Sequence, residues 1–204
     1  MNGEDLVRGL GGIVLAAGGP RRPGPPRQLL ELSGEPLVRR AARAAVEAGL
    51  WPAVVVVGEH AEEVRAALAG LPIVTVAAGE GGPAGAVLPG LRRLLECAPA
   101  ALGVVILAAD QPVVQARHIR ALAAAGCGAS APAASSYGGS VGLPALFPLA
   151  LFPELGALPS ERDFSEVLAR HAAAVTRVPL EGGELDVDCA DDWLRAQALL
   201  RSAK

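Results

Sequence analysis

The segment GIVLAAGGPRRPGPPRQLL (Gly12–Leu30) joins an apolar, strand-like run to a stretch too rich in Gly, Pro and Arg for regular structure. Between Gly18 and Gln28 lie three glycines, four prolines and three arginines, and no acid. Leu15, Ala16, Ala17, Gly18 and Gly19 shrink progressively, which lets a ligand approach the backbone, and glycine N–H groups can face an anion. Arg21, Arg22 and Arg27 add planar, permanent cations suited to phosphate oxygens. The prolines limit how far the loop can collapse on itself. Ligands of open α/β sheets bind beyond the carboxyl ends of the strands, so this loop reads as a cradle for a phosphorylated ligand. The competing reading is a solvated, charged surface loop.

Outward from that loop the chain alternates. Pro36–Ala48 has helical periodicity, with Gly49 just past its end, and Ala53–Gly58 (AVVVVG) is a continuous β-branched run. A helix over His60–Gly70, a strand over Pro72–Ala77, a loop over Gly79–Gly85 and a helix over Ala86–Cys97 follow. Gly103–Asp110 is a fourth strand and Arg117–Ala125 a further helix. This pattern predicts an α/β fold: three layers, α/β/α, with a Rossmann-like, mostly parallel sheet covered on both faces. From Gly128 the rhythm changes to a hairpin turning at Tyr137–Ser140, then helices near Phe147–Leu155 and Asp163–Ala172. A late strand over Ala174–Leu180 and a terminal helix with Asp191 near its N-cap complete a late antiparallel insertion. With no repeat and no long linker, residues 1–204 read as a single domain.

Composition narrows the function. Apolar residues make up 51% but aromatics only 3%, so the core is built from Ala, Val and Leu. The longest apolar runs, such as Ala101–Ala109, are strand-length, and the acidic N-terminus is unlike a signal peptide. A cytoplasmic protein with no membrane partner is expected. A net charge of −3 argues against a nucleic-acid partner. Cys97, Cys127 and Cys189 form no C-x-x-C pair and read as reduced thiols. No G-x-S-x-G elbow occurs, and GPRRPG lacks the Lys-Ser/Thr of a P-loop. The glycines do not fit a dinucleotide fingerprint either, because Gly9, Gly11 and Gly12 are expected to precede the first strand.

The run VVILAADQP (Val104–Pro112) sets Asp110 after six uncharged residues, at the open end of a central strand. Mg²⁺ takes one or two carboxylates plus substrate phosphates, which suits one Asp placed there. The alternative is a cap on the helix that follows. A second acidic set lies in ELDVDCADDW (Glu184–Trp193), where Asp186 and Asp188 alternate with Leu185 and Val187 and so share one side.

These residues together resemble the molybdenum cofactor cytidylyltransferase-like proteins, within the wider GT-A-type nucleotidyltransferases. The family pattern L-A-A-G-x-S-x-R-M-G-x-x-K-Q-L-L is matched without a gap at Leu15, Ala16, Ala17, Gly18, Arg22, Gly24, Gln28, Leu29 and Leu30. D-Q-P matches at Asp110–Pro112, G-x-P-A-L-F at Gly142–Phe147, and D-I-D-T-P-E-D resembles Asp186–Asp192. The resemblance implies transfer of a nucleotidyl group from CTP or GTP to a phosphorylated small-molecule acceptor such as molybdopterin, releasing pyrophosphate. It implies Mg²⁺ held by Asp110 and Asp188, with Arg22 and Arg27 neutralising the leaving pyrophosphate. Leu15, Ala16, Ala17, Gly18, Gly19 and Gln28 would bind the nucleotide. Cytosine is the family-weighted base, and guanine stays open.

The departures are specific. Arg27 stands where the family has Lys, Pro20 replaces a Ser and Pro23 a Met. The E-G-x-x-x-S-L segment becomes EGGPAGAVLPG, and the acceptor-side G-D-x-G-A-R becomes SERDFS at Ser160–Ser165. These losses keep a second reading open, a non-catalytic nucleotide-binding relative acting as a regulatory module.

Overall fold

A strand of consecutive valines needs apolar cover on both sides, and the central sheet provides it. The computed structural model describes residues 7–18, 26–79, 83–126, 130–158, 164–187 and 190–202. Its seven-stranded sheet uses β1 (Leu10–Ala16), β4 (Ala53–Val57), β5 (Val74–Ala77), β6 (Gly103–Ala108), β7 (Ala133–Tyr137), β8 (Ser140–Pro148) and β9 (Thr176–Pro179). The order across the sheet is β5-β4-β1-β6-β8-β7-β9. β8 runs antiparallel to β6 and β7, and the other described strand pairs of this sheet are parallel. The sheet is therefore mostly parallel with one antiparallel strand late in the chain.

Helices α1 (Leu37–Ala48), α2 (Ala61–Ala67) and α4 (Ala116–Ala125) cover one face. Helices α3 (Pro83–Cys97), α5 (Phe152–Gly156) and α6 (Ser165–Arg170) cover the other. Alternate residues of each central strand feed the two cores: Val55 and Val57 one, Val54 and Val56 the other; Val105 and Leu107 one, Val104 and Ile106 the other. A small third cluster joins Leu32, Leu37, Leu185, Val187 and Ala196. It sits where a short hairpin, β2 (Glu31–Leu32) and β3 (Glu35–Pro36), meets the terminal helix α7 (Ala190–Ser202). No described helix is long and apolar enough to cross a membrane.

Three expectations require correction. Gly11 and Gly12 lie inside β1, not before it. A Cβ at Gly11 would collide with Leu94 of α3, and one at Gly12 would come within 2.9 Å of Leu50, so the strand needs glycine to let its neighbours close. The predicted helix over Phe147–Leu155 starts late. Ladder pairing of Val104 with Phe147 and Gly103 with Pro148 keeps those residues in β8, and the α-helix begins only at Phe152 after a 3₁₀ turn. Helix α3 begins at Pro83, within the expected loop, because proline is preorganised for a first helical position. The hairpin turn at Gly138 and Gly139 is as expected, with φ of 54° and 79°.

Candidate active site

After β1 the chain crosses one way to β4 and β5, and α3 then carries it back to β6 on the other side of β1. The connections leaving β1 and β6 thus diverge, and a crevice opens at the carboxyl ends of these two strands. Leu15 pairs with Ala108, and the Ala109 amide donates to the Leu15 carbonyl at 3.1 Å, so the two strand ends leave the sheet together. Gly58 lets the first loop pass. A Cβ there would lie 2.6 Å from the Ala17 carbonyl oxygen. Leu15 and Ala17 are half-buried, Ala16 is buried and Gly18 is exposed. Gly19, Arg21, Arg22 and Asp188 lie outside the described residues.

Arg27 begins a short 3₁₀ turn (Arg27–Leu29) just after Pro26. Its Nη1 donates to Asp110 Oδ2 at 3.2 Å, with about a fifth of each side chain exposed (19% and 24%). Its other terminal nitrogen lies 3.7 Å from where a Gly18 Cβ would stand. The cationic loop and the strand-end acid, 83 residues apart in sequence, therefore meet at the crevice. Gln28, on the same turn, is buried. Asp110 is not the cap of α4: that position belongs to Gln115, whose side chain makes no capping bond.

The C-terminal acidic segment is tied to the same place. The Val187 amide donates to the Asp110 carbonyl at 3.2 Å. Leu185 and Val187 are buried in the third cluster while Asp186 is exposed, as the alternation predicts for these three residues. Trp193 donates its indole N–H to the Glu31 carbonyl at 3.0 Å, fastening α7 to the β2–β3 hairpin. Next to Asp110, Gln111 is buried and its Nε2 donates to the carbonyls of Leu143 at 3.1 Å and Gly183 at 3.0 Å. Sequence reasoning quoted Gln111 only as part of a motif. The available signal was an amide beside apolar residues, which once buried must find partners.

Among the described residues no three His, Cys, Asp or Glu converge as a cage for a metal. The donor chemistry still suits a hard divalent cation. Asp110 is a partly exposed carboxylate at the crevice, and such ions accept one or two carboxylates and complete their shell with water and phosphate oxygens.

A mostly parallel sheet whose switch point brings together a small-residue strand exit, a guanidinium and a carboxylate is an arrangement suited to holding a phosphorylated ligand. The chain belongs to the MobA-like NTP transferase domain family, which matches residues 12–175, and is thus a nucleotidyltransferase. It is 34% identical to a molybdenum cofactor guanylyltransferase from Cereibacter sphaeroides over 93% of this chain and 96% of that protein. It is 37% identical over 174 residues to the bifunctional protein GlmU of Anaeromyxobacter sp. (strain Fw109-5), covering 78% of this chain but only 35% of that longer protein. Among solved structures, Rv0371c from Mycobacterium tuberculosis superposes with a TM-score of 0.78 at 30% identity, covering 93% and 98% of the two chains. Its complex with manganese matches with a TM-score of 0.72 at 28% identity over the same shares.

Proposed function

We propose that this protein transfers a nucleotidyl group from GTP or CTP to a phosphorylated small acceptor of the molybdopterin class, releasing pyrophosphate. The observation that carries the reading is the Arg27–Asp110 pair at the β1/β6 crevice, where a cation and a metal-competent acid stand side by side. In the reaction an acceptor phosphate oxygen attacks the α-phosphorus, the α–β phosphoanhydride bond breaks, and pyrophosphate leaves with the electron pair. The backbone from Leu15 to Gly19 would hold the base and ribose. Arg27 would exchange its Asp110 partner for β- and γ-phosphate oxygens, offsetting charge on the leaving group, with Arg22 beside it. Asp110, with Asp188 as second carboxylate, would hold Mg²⁺ or Mn²⁺, which supplies charge stabilisation at the phosphates. The manganese complex of Rv0371c supports a divalent ion as cofactor, and the guanylyltransferase relative supports trying GTP first.

The test is pyrophosphate release from each of the four NTPs with Mg²⁺ or Mn²⁺, with and without molybdopterin. Release that requires both one nucleotide and the acceptor is expected. Nucleotide binding without turnover across phosphorylated acceptors would overturn the reading.

A further inference from the structure

Two consecutive residues, Asp110 and Gln111, hold both ends of one short C-terminal segment. The Asp110 carbonyl takes the Val187 amide, and the Gln111 amide takes the Gly183 carbonyl. The second Gln111 donor goes to Leu143 on β8. Nε2 also lies 3.4 Å from the Tyr137 hydroxyl, which itself donates to the Leu143 carbonyl at 3.1 Å. Tyr137 is closely packed between two glycines. A Cβ at Gly142 or at Gly183 would strike its ring or hydroxyl, so both positions need a bare backbone to bring their neighbours to the amide. Gln111 is 6% exposed, and its Oε1 is buried with no hydrogen-bond partner among the described residues.

That orphan acceptor matters. A buried amide left half satisfied is costlier than an apolar side chain of the same shape, so filling space does not account for it. What an apolar residue would lack is two donors aimed at two carbonyls from separate segments. We propose that Gln111 is a positioning residue for the metal: it fixes the 183–187 segment against the main chain of Asp110, and so holds that carboxylate in its place at the crevice. The inference rests on the metal reading above. It adds that the placement of Asp110 is imposed by a neutral amide that touches neither substrate nor ion. Buried partners of this kind commonly change metal affinity about tenfold when removed.

The experiment is Mn²⁺ binding followed by the electron paramagnetic resonance of free Mn²⁺, on the parent, Asp110→Asn and Gln111→Met, which keeps the volume and loses the amide. Gln111→Met is expected to bind Mn²⁺ about tenfold more weakly, to bind GTP without metal like the parent, and to regain turnover in excess Mn²⁺. A merely structural residue would lower thermal stability and nucleotide binding together, with no rescue by metal, and that result overturns the inference. Parent-like Mn²⁺ affinity in Gln111→Met, with affinity lost in Asp110→Asn, overturns it while the metal reading stands. Parent-like affinity in Asp110→Asn removes the metal reading and the inference with it. If Gln111→Met does not fold, Tyr137→Phe takes its place: weakened Mn²⁺ binding supports the clamp and unchanged binding overturns it.

Discussion

The two halves of the sheet are held by different forces. On the β5-β4-β1-β6 side, parallel strands are sandwiched between Ala, Val and Leu, and the described core there is apolar on both faces. On the β8-β7-β9 side, buried polar side chains do much of the fastening. His118 of α4 donates from Nε2 to Ser135 Oγ at 2.8 Å, and that hydroxyl donates to the Pro144 carbonyl at 2.6 Å, which fixes the histidine tautomer. Gln111 joins β6 to β8 and to the C-terminal segment. The first half presents a strand exit packed between apolar side chains on both faces. The second half carries directional bonds that a single substitution, or a proton, can break.

The largest effect should come from the junction between the halves. Asp110→Asn is expected to lower metal-dependent turnover by about 10²- to 10³-fold, the usual loss when a placed charge is removed from a transition state. Its fold should survive, because Asp110 stands partly exposed beyond β6 and caps no helix. Circular dichroism and pyrophosphate release measure the two separately. Full activity would take Asp110 out of the site.

Acid should divide the halves next. Burial lowers the His118 pKa from 6.5 to about 4, so the folded state keeps the ring neutral while the unfolded chain takes up a proton. Stability is therefore unaffected by this group above pH 6.5, falls as pH drops through the window to 4, and levels off below it. The accumulated loss is about 2–3 kcal/mol. Urea titrations near neutral and near the lower pKa, on the parent and on His118→Gln, should show a steeper pH dependence in the parent. Amide exchange should speed up first in β7 and β8. Uniform loosening of β1, β4 and β6 as well would erase the contrast between the halves.

Arg27 tests the first half alone. Arg27→Ala should weaken NTP binding by about 10- to 100-fold, corresponding to one lost charge-assisted contact of about 1.5–3 kcal/mol. Arg27→Lys should keep binding, since a cation remains. In the absence of nucleotide, Arg27→Ala should bind Mn²⁺ more tightly, because the guanidinium no longer competes at Asp110. Calorimetry with GTP and with Mn²⁺ reads both effects. Undiminished GTP binding in the alanine variant would mean the first loop is no phosphate cradle.

The smallest and sharpest contrast is between two neighbouring acids. Asp188→Asn should weaken Mn²⁺ binding about tenfold, as for loss of one of two carboxylates, and Asp186→Asn should leave it near the parent value. Equal losses would assign the second carboxylate to the pair, and no loss in either would leave Asp110 as sole protein ligand.

The sequence by itself carried the architecture and one face of the site. Valine runs without polar alternation read as strands buried on both sides, and their alternation with helical patterns of 10–13 residues leaves few topologies. The Gly-Pro-Arg loop and the acid closing an apolar strand were legible because each breaks its local pattern. Four things waited on tertiary structure. The Arg27–Asp110 pair spans 83 residues and exists only because β1 and β6 are neighbours. Phe147 and Pro148 continue a strand because β6 offers a ladder, which overrides the local helical pattern. Gly11 and Gly12, read from the sequence as lying outside the strand, are needed inside it by side chains from α3 and from the residues before β4. The Gln111 clamp was the least legible. An amide has no periodicity and no charge, so its role depends entirely on which distant carbonyls the fold brings within 3 Å or so, here those of Leu143 and Gly183.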